Sequence, residues 1–404
     1  MLPYIRATDN NFLSYNGISV TKATVKKAKD DSLQPAEDIF NFSEKNDGHV
    51  PDKYVAEGPQ VFWDKHLGHL RQLFVDYPFD EAFKKLMAFD AHTVTSYLML
   101  EKKVPFKVVK WYELMESRTG LFDASLTETV LASLVFDDPR FKGKNFDWFC
   151  FEYVMPLLII CACIDSLPWK FSGGSEIIPK AMEAKIKHKP VHYQRAVAAR
   201  ETDDGLSITV TFDQGWDPRP QVVTRAERKY SNVISTMSFG CLRMVDLDNL
   251  YLSNGQREAI RLLTYTPSIK IGLQFKSAWW EKLDIVGGQS STDRPIRDIV
   301  YPSYGPDPSH RNNKKSNCMI AAYNGMQDSQ RLGGLMKGRN TPEEKILLHL
   351  VMRDLAVVHN KTTDELWDEY EDYHLWDFYR DEFQLGESLP WVSRMLSHEM
   401  MNII

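Results

Sequence analysis

Ser268-Ile269-Lys270-Ile271-Gly272-Leu273-Gln274-Phe275 opens the stretch that decides the fold. It continues through Trp279-Trp280-Glu281, Gly287-Gly288-Gln289-Ser290-Ser291-Thr292-Asp293 and Arg294-Pro295-Ile296-Arg297 to Tyr301-Pro302-Ser303-Tyr304. Ile269, Ile271, Leu273 and Phe275 alternate with Ser268, Lys270, Gly272 and Gln274, the period of a half-buried strand. Lys270 stands mid-strand on the polar face, between Ser268 and Gly272. A glycine inside a strand marks close approach by another group, so Gly272 leaves room for a planar ligand beside the lysine. The plain alternative is a solvated strand lysine.

Outward from this strand the period changes repeatedly. Leu206, Ile208, Val210 and Phe212 alternate with Ser207, Thr209 and Thr211, which predicts a strand over 205–212; Tyr230 to Ser235 predicts another. A helix is expected from Ile177 to about Lys187, after Gly173-Gly174-Ser175-Glu176. Residues 1–60 are polar and turn-rich, whereas 60–138 read as helical. Within them Ser125-Leu126-Thr127-Glu128 has the form of a capping box ahead of Val130, Leu131, Leu134 and Val135. Thr341-Pro342-Glu343-Glu344 opens a further helix. Thr341 is its cap, Pro342 takes the first helical position, and Glu344 closes the box. Its expected apolar stripe is Ile346, Leu347, Leu350, Val351 and Leu355. The class is α/β, of the mixed α+β kind.

Composition excludes several functions. Lys plus Arg number 49 against 55 Asp plus Glu, a net charge of −6, with no basic excess to suggest a nucleic-acid partner. With 43% hydrophobic and 26% charged residues the chain is globular, and five cysteines exclude a disulfide scaffold. The longest apolar run, Val154 to Ile164, contains Pro156 and falls short of the ~20 residues a membrane span needs. Its start lacks an apolar signal core, so no membrane partner and a cytoplasmic location are expected by default. His66 and His69 have helical spacing but no further ligand nearby, and His188 and His192 straddle Pro190. Cys161 and Cys163 are one residue too close for a zinc or redox pair, so no metal is expected. No G-x-G-x-x-G occurs anywhere in the chain.

The order of a strand lysine, aromatic-Trp-Glu, Gly-Gly-x-Ser-x-Thr-Asp and Tyr-Pro resembles the flavin-dependent amine oxidase family, most closely its L-amino-acid oxidase branch. The likeness runs from about Asn11 to Leu385. It implies FAD as cofactor, an amino acid or amine as small-molecule substrate, and O2 as electron acceptor, with the imine hydrolysed to keto acid and ammonia and hydrogen peroxide released. Lys270 matches the family lysine that holds a water near flavin N5. Tyr323, in Ile320-Ala321-Ala322-Tyr323, matches the tyrosine that contacts the substrate carboxylate. Trp376, in His374-Leu375-Trp376, matches a tryptophan packed against the flavin, and Ala196 stands where a backbone contact meets the adenine. Without the likeness, Tyr323 and Trp376 read as ordinary packing residues, as Trp279 and Trp280 still do. A homo-oligomer is compatible with the intact enzyme.

The resemblance also implies a domain plan. Residues 1–50 are expected to join a substrate domain, 51–150 to form a helical subdomain, 173–265 a partial FAD-binding domain with open strand edges, and 266–385 an antiparallel-sheet substrate domain. The family's Gly-rich pyrophosphate turn and its carboxylate-binding arginine would lie before Met1, and its closing Gly-Glu-x-Thr segment would follow Leu385. Residues 153–172 interrupt the likeness. Glu152-Tyr153-Val154 can encode the splice-donor-like GTATGT and Phe171-Ser172 the acceptor-like TTTAG, so 153–172 is expected to be retained-intron translation and 386–404 an unrelated tail, the alternative being a genuine family-specific insertion and tail. A chain truncated in this way is expected to bind FAD weakly and not to turn over. The alternative is a non-catalytic remnant or partner-binding fragment.

Overall fold

The computed structural model describes residues 2–3, 5, 7–30, 37–59, 61–116, 118–137, 169–170, 175–205, 207–214, 224–303 and 316–391. The Val154 to Ile164 run with Cys161 and Cys163, Gly173-Gly174 and Tyr304 lie outside the described residues, as does all of 153–172 except Trp169 and Lys170. Those two pair antiparallel with Leu2–Pro3. The chain divides into two compact units, Met1–Ser172 with Pro267–Asp377 and Gly173–Thr266 with Phe378–Ile404.

The larger unit is organised on a seven-stranded sheet. Its strands are β1 (Phe12–Tyr15), β2 (Ile18–Thr21), β3 (Ser268–Phe275), β4 (Gln289–Thr292), β5 (Asp298–Val300), β6 (Cys318–Gly325) and β7 (Tyr370–Asp377), in the spatial order β7-β3-β6-β5-β4-β1-β2. Every neighbouring pair is antiparallel except β4 with β1. The alternation of β3 is realised. Ile269, Ile271, Leu273 and Phe275 are buried and pack into one core with Leu347, Val351 and Leu355 of the helix Pro342–Val358. That helix starts as expected, with the Thr341 hydroxyl accepting from the Glu344 N–H. Glu344 does not close the box. Its carboxylate accepts instead from the Gly338 N–H at 3.1 Å and from the buried Tyr373 O–H at 2.7 Å, a donor that burial leaves needing an acceptor. Ile346, expected in the stripe, is 59% exposed, and the buried face begins at Leu347.

Helices between Asp52 and Asp137 build a second core in the same unit, around Phe62, Phe74, Leu86, Tyr97, Val108 and Phe122. No helix among the described residues is long and apolar enough to cross a membrane.

The smaller unit holds the helices Ile177–Lys185 and Asn254–Leu262 and a three-stranded antiparallel sheet, Gln194–Glu201, Ile208–Gln214 and Thr224–Tyr230. The third strand ends where the sequence reading began one, and 231–235 carry no strand. Thr224–Tyr230 has no apolar alternation. It carries charge pairs instead, Arg225 to Asp213 directly opposite and Glu227 across the middle strand to Arg200, so hydrophobic period cannot reveal it. Of the edges expected to be open, that of Gln194–Glu201 is partly covered. The Ala199 N–H donates to Asp246 O and the Glu201 N–H to Asn249 O. Residues 378–385 group with this unit, and Glu387–Trp391, expected to begin an unrelated tail, pair with Thr264–Thr266. The Gly386 N–H to Phe378 O bond turns the chain into that strand.

A buried polar chain ties the sheet of the larger unit to the end of helix Pro342–Val358. The Phe12 N–H donates to Ser290 Oγ at 2.8 Å, and Ser290 Oγ lies 2.9 Å from Tyr301 Oη. Tyr301 Oη is 2.6 Å from His359 Nε2, and His359 Nδ1 is 2.7 Å from Leu355 O. A carbonyl only accepts, so Nδ1 carries the proton of the neutral ring. Nε2 then accepts from Tyr301, and the Tyr301 oxygen accepts from Ser290. Burial pushes His359 down from 6.5 to about 4. Between these values the unfolded chain binds the proton that the folded chain refuses, so the stability contributed is complete above about pH 6.5 and lost as pH falls toward 4. Denaturant unfolding should show a loss of about 3 kcal/mol from this group across that window, diminished in His359→Gln. At pH 7, Tyr301→Phe should cost about 1–3 kcal/mol by leaving Nε2 without its donor. Equal pH dependence in wild type and His359→Gln would contradict this assignment.

Candidate functional site

One face of strand β3 is sealed by the core, while the other grades from buried Ser268 through half-buried Lys270 and Gly272 to exposed Gln274. Its other face carries Ser268, Lys270, Gly272 and Gln274, which are not covered by the Ile269–Ile271–Leu273 core. Which neighbours share that face depends on register, because a one-residue slip sends every side chain to the opposite side.

Both neighbouring strands contain such a slip. On β6, Ile320 pairs with Gly272, and an unshifted ladder would then place Ala322 opposite Lys270. The register shifts between Ile320 and Ala322, so Tyr323 takes that place. On β7, Tyr370 pairs with Phe275, which would bring Leu375 opposite Lys270. A shift between Tyr370 and Asp372 brings Trp376 there instead. These two bulges produce one cross-strand row, Trp376–Lys270–Tyr323, on the face away from the core.

Within the row, Lys270 Nζ lies 4.6 Å from the centroid of the Tyr323 ring, a cation–π distance. Trp376 is 41% exposed, and Lys270 and Tyr323 are half-buried. The indole leans from its own row toward Gly272, where an added Cβ would stand 3.2 Å from Trp376 Cζ3 and 3.6 Å from Cη2. The room that Gly272 creates, expected to admit a planar ligand, is therefore filled by the Trp376 ring. His374 flanks that ring at 4.1 Å between centroids. The arrangement is an open, partly aromatic surface with one ammonium at its centre. It suits a planar ring with electronegative edge atoms, so the isoalloxazine part of a flavin fits.

The remaining residues singled out from the sequence lie elsewhere. Ala196 is in the smaller unit, on Gln194–Glu201, opposite Phe212. Trp279 and Trp280 are buried beside Phe275, as packing residues should be. His69 Nε2 is 2.8 Å from the Tyr97 hydroxyl, and no group of three or more metal-binding side chains occurs among the described residues. Sequence reasoning gave His374 no place of its own, and its i, i+2 spacing from Trp376 was the available signal.

The flavin containing amine oxidoreductase profile matches residues 12–390, running past the Leu385 limit expected from the sequence. The L-amino-acid oxidase 4 of Hebeloma cylindrosporum is 38% identical over 289 residues, 69% of this chain and 41% of that protein. A putative bifunctional amine oxidase of Dictyostelium discoideum is 31% identical over 403 residues, 95% of this chain and 32% of that one. The chain thus spans less than half the length of either curated relative. The solved cyclohexylamine oxidase of Brevibacterium oxydans shares the fold, with a TM-score of 0.58 at 12% identity over 98% of this chain and 71% of that one.

The parity of β3 gives a direct test. Ile271→Ala should cost about 2–5 kcal/mol in unfolding free energy, whereas Lys270→Met should change it by less than about 1 kcal/mol. Gly272→Ala should leave the fold intact yet shift the Trp376 indole N–H resonance, assigned by its absence in Trp376→Phe. An unmoved resonance would show that the ring does not rest on Gly272.

Proposed function

The chain belongs to the flavin containing amine oxidoreductase family, and we propose that it carries the substrate-side face of an enzyme oxidising an L-amino acid or amine. The Trp376–Lys270–Tyr323 row is the observation that supports this reading. Bound flavin would supply the redox chemistry, amine to imine with dioxygen as final electron acceptor. The protein's part is placement. Lys270 presents a fixed cation that orients a water or polarises the ring edge. The Trp376 indole packs against the ring plane, and the Tyr323 hydroxyl meets the substrate carboxylate. Ala196 offers a backbone contact to the adenine.

In this chain the dinucleotide pyrophosphate has no G-x-G-x-x-G turn to rest on, and such affinity depends on the amides of that turn and the following helix N-terminus. We therefore expect the 404 residues alone to hold the isoalloxazine weakly, to gain little from the rest of FAD, and not to turn over. One observation favours the second reading, a non-catalytic fragment that binds a partner. In the smaller unit Ile234, Tyr251 and Met244 are 89%, 87% and 73% exposed.

Lumiflavin, the ring without the dinucleotide, separates the two. Titration should perturb the NMR signals of Lys270, Tyr323 and Trp376, and Trp376→Ala should abolish the effect. FAD should bind within about tenfold of lumiflavin, because its phosphates find no cradle. Lumiflavin that leaves all three residues unmoved would overturn the enzymatic reading. Peroxide formed by the 404-residue chain from L-amino acids with added FAD would overturn the expected inactivity.

A further inference from the structure

The turn between the helices Met326–Gly333 and Pro342–Val358 grips strand β7 just past its bulge. The register shift of β7 lies between Tyr370 and Asp372, and the gripped residues are Asp372 and Tyr373. Arg339 pairs with the Asp372 carboxylate and donates through Nη1 to Tyr373 O at 3.2 Å. Its guanidinium carbon lies 4.9 Å from the centroid of the Tyr373 ring. The Asn340 N–H donates to Tyr373 Oη at 2.9 Å, and that hydroxyl donates to Glu344 at 2.7 Å. Gly338, at φ 118°, supplies a bend that only glycine adopts freely, and its N–H donates to the other Glu344 oxygen at 3.1 Å. Among the described residues no strand pairs with the outer side of β7. There the Tyr373 N–H donates to Asp372 Oδ1 at 2.8 Å, and Arg339 takes the Tyr373 carbonyl.

The slip decides which face Tyr373 occupies. In the observed register it pairs with Leu273, is 8% exposed and joins the core of β3 and helix Pro342–Val358. An unshifted ladder continuing from Tyr370–Phe275 would pair Tyr373 with Gly272 and turn it to the Lys270 face. Glu344, 4% exposed, would then lose its hydroxyl donor. Asp372 would come opposite Leu273, turning a carboxylate toward the core. Trp376 lies three residues beyond Tyr373, and an odd separation puts the two on opposite faces. The register that keeps Tyr373 inward is thus the one that keeps Trp376 outward, opposite Lys270.

We propose that Arg339 and Glu344 are positioning residues, which hold Asp372 and Tyr373 in the shifted register and so keep Trp376 opposite Lys270. Neither belongs to the Trp376–Lys270–Tyr323 row, and both act through β7. For the flavin the inference rests on the amine-oxidising reading, which it deepens by naming what orients the indole. The two grips differ in weight. Glu344 and the Tyr373 hydroxyl meet in the interior, where a hydrogen bond to a carboxylate is costly to lose. The Arg339 and Asp372 side chains are 56% and 52% exposed, so their ion pair adds a smaller bias.

The test compares the yields of two cysteine cross-links, Lys270→Cys with Trp376→Cys and Lys270→Cys with Leu375→Cys, in the 404-residue chain with and without changes in the clamp. Tyr373→Phe keeps the buried ring and removes the hydroxyl. It should raise the Leu375 link relative to the Trp376 link about tenfold or more. Arg339→Ala should raise that ratio about twofold, and Arg339→Lys less. Leu355→Ala, at the far end of the same core, should lower the melting temperature without moving the ratio. An unmoved ratio in Tyr373→Phe and Arg339→Ala, or one that moves as far in Leu355→Ala, would overturn the clamp. Should Tyr373→Phe prove unfolded, Arg339→Ala decides alone, because its exposed site tolerates the change. In clamp variants the response of Trp376 to lumiflavin should weaken as the ratio rises. Cross-links that shift as expected while wild-type Trp376 ignores lumiflavin would uphold the clamp and overturn the flavin reading.

Discussion

A register shift of one residue on each side of β3 decides which side chains meet Lys270. Regular ladders would bring Ala322 and Leu375 to it, whereas the shifts near Ala321 and Glu371 bring Tyr323 and Trp376. The strand faces make this consequential. On one side Ile269, Ile271 and Leu273 are sealed into the core, so β3 cannot slide or flip without placing Lys270 in that core. With β3 fixed, the bulges alone set the composition of the opposite face.

The rest of the larger unit supports that constraint. Helix Pro342–Val358 packs Leu347, Val351 and Leu355 against β3 from below. Its far end is bound to the opposite half of the sheet through His359, Tyr301 and Ser290. Tyr373 on β7 reaches Glu344 at the start of the same helix. Both ends of the helix are thus joined to the sheet by buried hydrogen bonds, and the strand carrying Trp376 is held beside β3. On this face the 41% exposed Trp376 ring lies over Gly272 and beside His374.

The sequence made some of this legible and hid the rest for physical reasons. The alternation in β3 and the cap of helix Pro342–Val358 were readable because burial imposes a period and capping imposes residue types. Family likeness pointed to Lys270, Tyr323 and Trp376, which are far apart in the chain and adjacent on the sheet. It could not show why they are adjacent, because a bulge has no residue signature: Ala321 and Glu371 look like ordinary strand residues. The strand Thr224–Tyr230 was misplaced because it lacks apolar alternation and bears charged side chains instead.

Cysteine cross-linking measures the two shifts most directly. A disulfide needs Cα atoms about 4.4–6.8 Å apart and side chains on one face. Mild oxidation followed by mass spectrometry should detect linked Lys270→Cys/Tyr323→Cys and Lys270→Cys/Trp376→Cys pairs. Lys270→Cys/Ala322→Cys and Lys270→Cys/Leu375→Cys should remain unlinked. The reverse pattern would contradict the account, because it would put Tyr323 and Trp376 on the core side of the sheet and leave Lys270 without either neighbour.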